Sequence, residues 1–327
     1  MALMTRRFLH STPRFFKTAS AQEACIELFA RFGSSPVSIR SQLLDANQLH
    51  LLNATLNRAS TSSSSPQDGT PVPAGYHLVY FTPSASESEL GSDGTDRTVN
   101  PLRPFTRRMW AGGELEWSQA PDTALRIGQT VQETTKLTSA EAKKSKTGAE
   151  MLVVGVEKTF SNECGVALTD RRSWVFQQEI TTPMPVPPRL ADKAFENPGV
   201  GDGMYYRDFK QSPVSLFRFS ALTFNGHKIH YLPEWCREVE GHRDAVVHGP
   251  LNLINILDLW RDSRRGISEN SEGIALPRRI KYRAMSPIYV GEDYRIVLQK
   301  DVGDTKTYKV ELWDSFGRVG MKATIEE

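Results

Sequence analysis

FSALTFNGHKIHY (219–231), followed by VVHGPL (246–251), sets Ser220, Thr223, Asn225, His227 and His230 among aromatic and aliphatic residues and then opens a helix. In GPLNLINILDLWRDS (249–263), Leu253, Ile254, Leu257 and Trp260 recur at helical spacing. Pro250 fits the first turn, where its missing N–H would be an orphan donor in any case. A helix this apolar is expected to be wrapped by a curved sheet. His230 is the candidate base, because an imidazole titrates near neutral pH. The helix start at Gly249 offers free N–H groups and the positive end of the dipole to a developing oxyanion. Glycine there also lets a ligand approach the backbone.

Outward from this core the sequence reads as two copies. ALRIGQTVQE (124–133) parallels PIYVGEDYRI (287–296), each an apolar stretch, a glycine (Gly128, Gly291) and an alternation of strand period. Residues 151–179 parallel 306–327, each a β-rich run, a turn ending in glycine (Gly165, Gly317) and a second alternating run. The paired glycines stand 37 residues apart in the first copy and 26 in the second, and the lysine-rich SAEAKKSKTGAE (139–150) is expected to be a loop that takes up the difference. TTPMPVPPRLADKAFENPGVGDG (181–203) is too rich in proline for a helix or central strand and divides the chain into 35–180 and 204–327. TSSSSPQDGTPVPAG (61–75) reads as a flexible connector. Residues 38–58 place Leu43, Leu44, Leu51, Leu52 and Leu56 along one helical stripe, with Ser38 or Ser41 to cap it. In the first copy only FTRRMWAGG (105–113) stands where the second has its long helix. The fold class that follows is α+β: two antiparallel sheets, each with one helix.

Composition sets the limits. Hydrophobic residues are 39%, charged residues 24% and the formal net charge is +2, an ordinary globular balance that calls for no nucleic-acid partner. MALMTRRFLHSTPRFFKTAS (1–20) carries Arg6, Arg7, Arg14 and Lys17 with no acid before Glu23. That is the composition of a mitochondrial transit peptide, cleaved near Phe16, and it predicts a matrix location. Cys25, Cys164 and Cys236 form no CxxC pair, which argues against zinc ribbons, redox dithiols and a disulfide framework. No apolar run approaches the roughly 18 residues of a membrane-spanning helix, so no integral membrane segment is predicted. His227 and His230 make an HxxH pair without spaced third and fourth ligands, and neither a metal nor a cofactor is expected.

The 219–231 and 246–251 blocks resemble the MaoC-like, R-specific enoyl-thioester hydratase family of hotdog proteins, whose motif places an acid five residues before a catalytic histidine. Here the pair is Asn225 and His230, and His248–Gly249 matches the family's helix start. LVYFTP (78–83), LGSDG (90–94) and RRMWAGGELEW (107–117) are similar to the first half of double-hotdog mesaconyl-CoA hydratases and of fungal mitochondrial hydroxyacyl-thioester dehydratases of type 2. The resemblance spans residues 35–327. It implies two hotdogs pairing as a pseudo-dimer, monomeric or as a homodimer of such units, with chemistry in the second copy and an acyl tunnel shaped by the first.

His230 would then take the α-proton of a (3R)-hydroxyacyl thioester while the Gly249 amide holds the carbonyl oxygen. Asn225 departs from the pattern, since an amide cannot act as acid or base; it is left to orient water or thioester, with His230 serving both proton steps or working with His227 or a water. Ser220, Thr223, Phe224, His248 and Trp110 are the candidates for substrate contact, although Ser220 also suits a backbone bond and His248 a helix flank. Arg107 and Arg108, or Arg278, Arg279, Lys281 and Arg283, suit the phosphates of coenzyme A or an acidic carrier protein. The substrate expected first is an acyl-carrier-protein or CoA thioester of mitochondrial fatty-acid synthesis. The alternatives are a short dicarboxylyl-CoA, mesaconyl or itaconyl, and a catalytically silent thioester-binding protein. A cation deep in the tunnel would mark the dicarboxylate; a wholly apolar tunnel would mark the fatty chain.

Overall fold

The computed structural model describes residues 18–58, 66–145, 147–193, 195, 203–264 and 275–327. The expected transit peptide and its cleavage point lie outside these, apart from residues 18–20. Ser20 caps helix α1 (Ala21–Phe32) in a reciprocal arrangement with Glu23. Buried Ala24, Cys25 and Leu28 of α1 form one apolar cluster with Leu152, Val154 and Phe176 of the sheet.

The first copy continues with β1 (Ser38–Leu43), α2 (Ala46–Thr55), a 3-10 turn (Tyr76–Val79), β2 (Arg107–Trp117), β3 (Thr130–Lys144), β4 (Glu150–Asn162) and β5 (Gly165–Gln177). The second runs β6 (Met204–Lys210), α3 (Pro213–Leu222), a 3-10 turn (Lys228–His230), α4 (Pro233–Glu238), α5 (Gly249–Ser263), β7 (Arg279–Ala284), β8 (Asp293–Lys300), β9 (Thr307–Asp314) and β10 (Val319–Glu326). All ten strands form one antiparallel sheet in the order β1-β3-β4-β5-β2-β7-β10-β9-β8-β6. Read from either edge the order is the same, and β2 pairs with β7 at the seam. This is the expected double hotdog.

The pseudo-symmetry extends to single hydrogen bonds. Val72 N donates to Leu125 O at 2.9 Å in the first copy, and Val247 N to Ile288 O at 2.8 Å in the second. Beyond this shared point the chains diverge. The second enters α5, whose residues Leu251 to Trp260 are all buried, while the first makes only the turn Tyr76–Val79. Tyr76 reaches across to α5, its hydroxyl 3.1 Å from Asp258 Oδ2. Among the described residues the first copy thus has no counterpart of the central helix, and a cavity runs beside its sheet instead.

Several expectations change. Residues 38–58 are not one helix: SIRSQL alternates half-buried and exposed and forms the edge strand β1 beside β3, and α2 starts after Asp45, whose side chain accepts from Gln48 N. RRMWAGG is the seam strand, with a bulge between Trp110 and Gly112, not a helix remnant. Lysine-rich 139–150 is mostly strand, extending the β3–β4 hairpin. Of 61–75, the described part is held rather than free, because Pro71 bridges Arg126 and Gly69 N donates to Ile127 O. Residues 181–193 form neither helix nor strand. Among the described residues no helix is long and apolar enough to cross a membrane.

Candidate active site

Helix α3 ends in a turn in which Phe224 takes a positive φ of 47°, Phe224 N donating to Ala221 O and Asn225 N to Ser220 O. Asn225 Oδ1 then accepts from His227 N at 3.1 Å, turning the chain into Lys228–His230. The amide oxygen at 225 is therefore spent on local backbone geometry. It brings the next imidazole inward: His230 is 8% exposed.

The tautomer of His230 follows from its partner. Nδ1 lies 2.8 Å from Val246 O, and a carbonyl oxygen only accepts, so Nδ1 carries the proton and Nε2 keeps its lone pair. Burial pushes the pKa down to about 4, leaving a neutral ring at physiological pH. His248, the residue before α5, stacks on it with centroids 3.7 Å apart and planes 18° apart. Its Nε2 is 2.9 Å from Ser220 Oγ, and burial holds its pKa well below the usual imidazole range. His227 lies edge-on to His230 at 5.4 Å and is likewise held neutral by burial.

Gly249 is required sterically. A Cβ there would sit 2.2 Å from Trp110 Cε3, so the indole of the first copy closes directly over the start of α5. Trp110 in turn stacks on Tyr282 at 4.7 Å. These groups face one cavity of about 1170 Å³, lined by His230, Asn225, His248, Gly249, Trp110, Thr223 and Phe224 and extending along the first-copy sheet. Ser220 does not line it; it anchors His248 instead. Thr223 lines it, but its hydroxyl donates to Phe219 O at 2.7 Å. Phe224 stands 63% exposed.

The first-copy wall of the cavity is charged, which the sequence reading did not foresee. Glu133 pairs with Arg40 (2.7 Å) and Lys158 (2.9 Å); Asp170 pairs with Arg172 at 2.6 Å, with His77 Nε2 at 3.5 Å. Arg108 lies over the Trp174 ring at 4.8 Å and makes no ion pair among the described residues. Its neighbour Arg107 is bound to buried Glu240 at 2.9 Å. The pair expected to meet phosphates or a carrier protein is thus turned inward. In the second basic cluster, Arg279 pairs with Glu326 and Lys281 with Glu114. A signal was available: Glu133, Lys158, Asp170 and Arg172 occupy the same strand phase as buried Val131, Val156, Phe160, Leu168 and Trp174. A charge in an apolar phase faces a core or a ligand.

The profile of the hydroxyacyl-thioester dehydratase type 2 family matches residues 75–290. A mesaconyl-C(4)-CoA hydratase of Chloroflexus aurantiacus is 29% identical over 266 residues, 81% of this chain and 86% of that one. The mitochondrial hydroxyacyl-thioester dehydratase type 2 of Schizosaccharomyces pombe is 23% identical over 257 residues, 71% and 79% of the two chains. Among solved structures, a MaoC-like dehydratase from Phytophthora capsici superposes with a TM-score of 0.63 at 12% identity, covering 92% of this chain and 98% of that one. A Mycobacterium tuberculosis protein with a double hotdog fold gives 0.51 at 11% identity, covering 90% and 97%.

Proposed function

The chain belongs to the hydroxyacyl-thioester dehydratase type 2 family, and on that premise we propose that it interconverts (3R)-3-hydroxyacyl and 2-enoyl thioesters with His230 as both base and acid. The observation that carries this is a buried neutral imidazole whose Nε2 lone pair is uncommitted, beside the start of a helix. In dehydration the Cα–H bond breaks and the proton goes to Nε2. The electron pair moves into the thioester as an enolate, whose oxygen is held by the Gly249 N–H. The Cβ–O bond then breaks, and the hydroxyl takes the proton back from Nε2 and leaves as water. One imidazole moving one proton along one face gives syn elimination and needs no acid at position 225. Each oxyanion donor of this type is worth about 3–4 kcal/mol in kcat.

The acyl group is read from the first-copy wall. A growing fatty chain calls for an apolar tunnel. A guanidinium in a cavity without a paired carboxylate is costly unless the ligand supplies one; Arg108 is such a group among the described residues, Asp96 and Asp93 acting on it only from beyond ion-pair distance. This supports a short acyl thioester with a distal carboxylate, mesaconyl-like, over a long fatty acyl chain. The mitochondrial relatives and the basic residues before Glu23 support a mitochondrial location, in the matrix.

The test is hydration of crotonyl-, 2-decenoyl- and mesaconyl-CoA by wild type and Arg108→Met. The expected result is preference for mesaconyl-CoA and a loss of roughly 30-fold or more in kcat/KM on it in the variant, the effect of truncating one member of a buried charge pair. Crotonyl-CoA should be spared. Preference for 2-decenoyl-CoA, indifferent to Arg108→Met, would restore the fatty-acyl reading.

A further inference from the structure

Helix α3 closes on a two-bond terminal turn. Asn225 N donates to Ser220 O at 2.8 Å and Phe224 N to Ala221 O at 3.2 Å, which puts Phe224 at the left-handed position just past the helix end. Glycine is the usual residue there and asparagine the next, because a Cβ crowds the following carbonyl oxygen in this conformation. Two other non-glycine residues take a positive φ among the described residues, and each has a local reason. Asn57 (φ 53°) is of a type that tolerates it. Phe81 (φ 52°) is a core side chain, 6% exposed and edge-on to Phe160 at 5.4 Å. Phe224 has neither reason. It combines a bulky side chain, a φ of 47° and 63% exposure, so the fold gains little from it and the strain points to a use in binding.

Where the ring stands decides what it binds. Among the described residues, only two large apolar side chains line the cavity and are more than half exposed, Phe224 and Met285. Phe224 therefore marks a place where the cavity opens to solvent. The same turn reaches the thioester position: Ser220, which accepts from Asn225 N, holds His248 through its hydroxyl at 2.9 Å, and Gly249 follows. In the hydro-lyase reading the acyl group runs inward from Gly249 along the first-copy sheet. The arm that carries it must then leave toward solvent.

We infer that Phe224 is a binding residue for that arm, its ring covering the methylene and gem-dimethyl groups of the pantetheine chain of a CoA thioester. The inference rests on the hydro-lyase reading. It accounts for the exposure, since the ring is covered only when substrate is bound, and for the strain, since glycine would relax the backbone but lose the contact.

The experiment is steady-state hydration of crotonyl-CoA, crotonyl-pantetheine and crotonyl-N-acetylcysteamine by wild type, Phe224→Gly and Phe224→Asn, with thermal unfolding of each protein. Both variants should raise KM for crotonyl-CoA and crotonyl-pantetheine about 10-fold with kcat within about twofold, the loss of an apolar contact made equally by substrate and transition state. On crotonyl-N-acetylcysteamine, which lacks the pantoyl chain, kcat/KM should stay within about twofold of wild type. The variants should unfold at temperatures no lower than wild type, because both residues suit the left-handed position. Unchanged KM for crotonyl-CoA overturns the inference, as does an equal loss on all three thioesters. A lower unfolding midpoint in both variants also overturns it, since the ring would then be a packing element. In each of these cases wild-type turnover leaves the hydro-lyase reading standing; a wild type inert toward crotonyl-CoA removes both.

Discussion

At the residue scale, the stacked imidazoles of His230 and His248 behave as a pair only because each has one nitrogen committed elsewhere. Val246 O fixes the proton of His230, and Ser220 Oγ fixes His248. Ser220→Ala leaves His248 with no partner at either nitrogen in a buried site, since its Nδ1 has none already. Urea unfolding of that variant should show a loss of about 1–3 kcal/mol. The sequence made His230 and Gly249 legible, because an imidazole at motif spacing and a glycine before an apolar helix each have a chemical reason to be there. It left Ser220 ambiguous between backbone, substrate and histidine, since a hydroxyl suits all three. His77 and Glu240 gave no motif, and Arg108 stood in a motif that suggested phosphate contact instead; their partners Asp170, Arg107 and Trp174 lie more than 60 residues away in sequence.

At the element scale, the deciding feature is what the first copy omits. Its chain arrives at the point from which α5 departs in the second copy, yet contributes only Tyr76–Val79, and the unfilled space becomes the cavity. The leucines of 38–58 suggested a helix throughout because period and alternation overlap in SIRSQL; pairing with β3 settles the strand. Trp110 and Gly249 join the two copies and should be coupled. Gly249→Ala should cost about 1–3 kcal/mol through overpacking. Adding Trp110→Leu should return part of that stability, a non-additivity readable by a double-mutant cycle in thermal unfolding.

At the scale of the whole molecule, the paired glycines 128/291 and 165/317 disclosed the duplication, and the sheet order bears it out. Helix α1 gives no separate signal in the sequence because it directly follows the basic, acid-free stretch 1–20. Placing the histidines inside the joint between copies gives stability a pH dependence of definite sign. His230 folded titrates at about 4, whereas unfolded histidine titrates near 6.5. The unfolded chain therefore binds the proton first as pH falls, and stability is lost between about 6.5 and 4. At about 1.4 kcal/mol per pH unit, His230 alone withdraws about 3 kcal/mol, and His227 and His248 act in the same direction. Chemical denaturation at pH 7.5 and 5 should show this as a lower midpoint at the acid value. A midpoint that rises on acidification would contradict the neutral buried cluster.

The most direct test of the catalytic centre is crotonyl-CoA hydration by His230→Gln, a substitution that keeps a polar group of similar reach. A fall of about 10²–10⁴ in kcat with the fold and KM retained is the predicted result; turnover equal to wild type would contradict it.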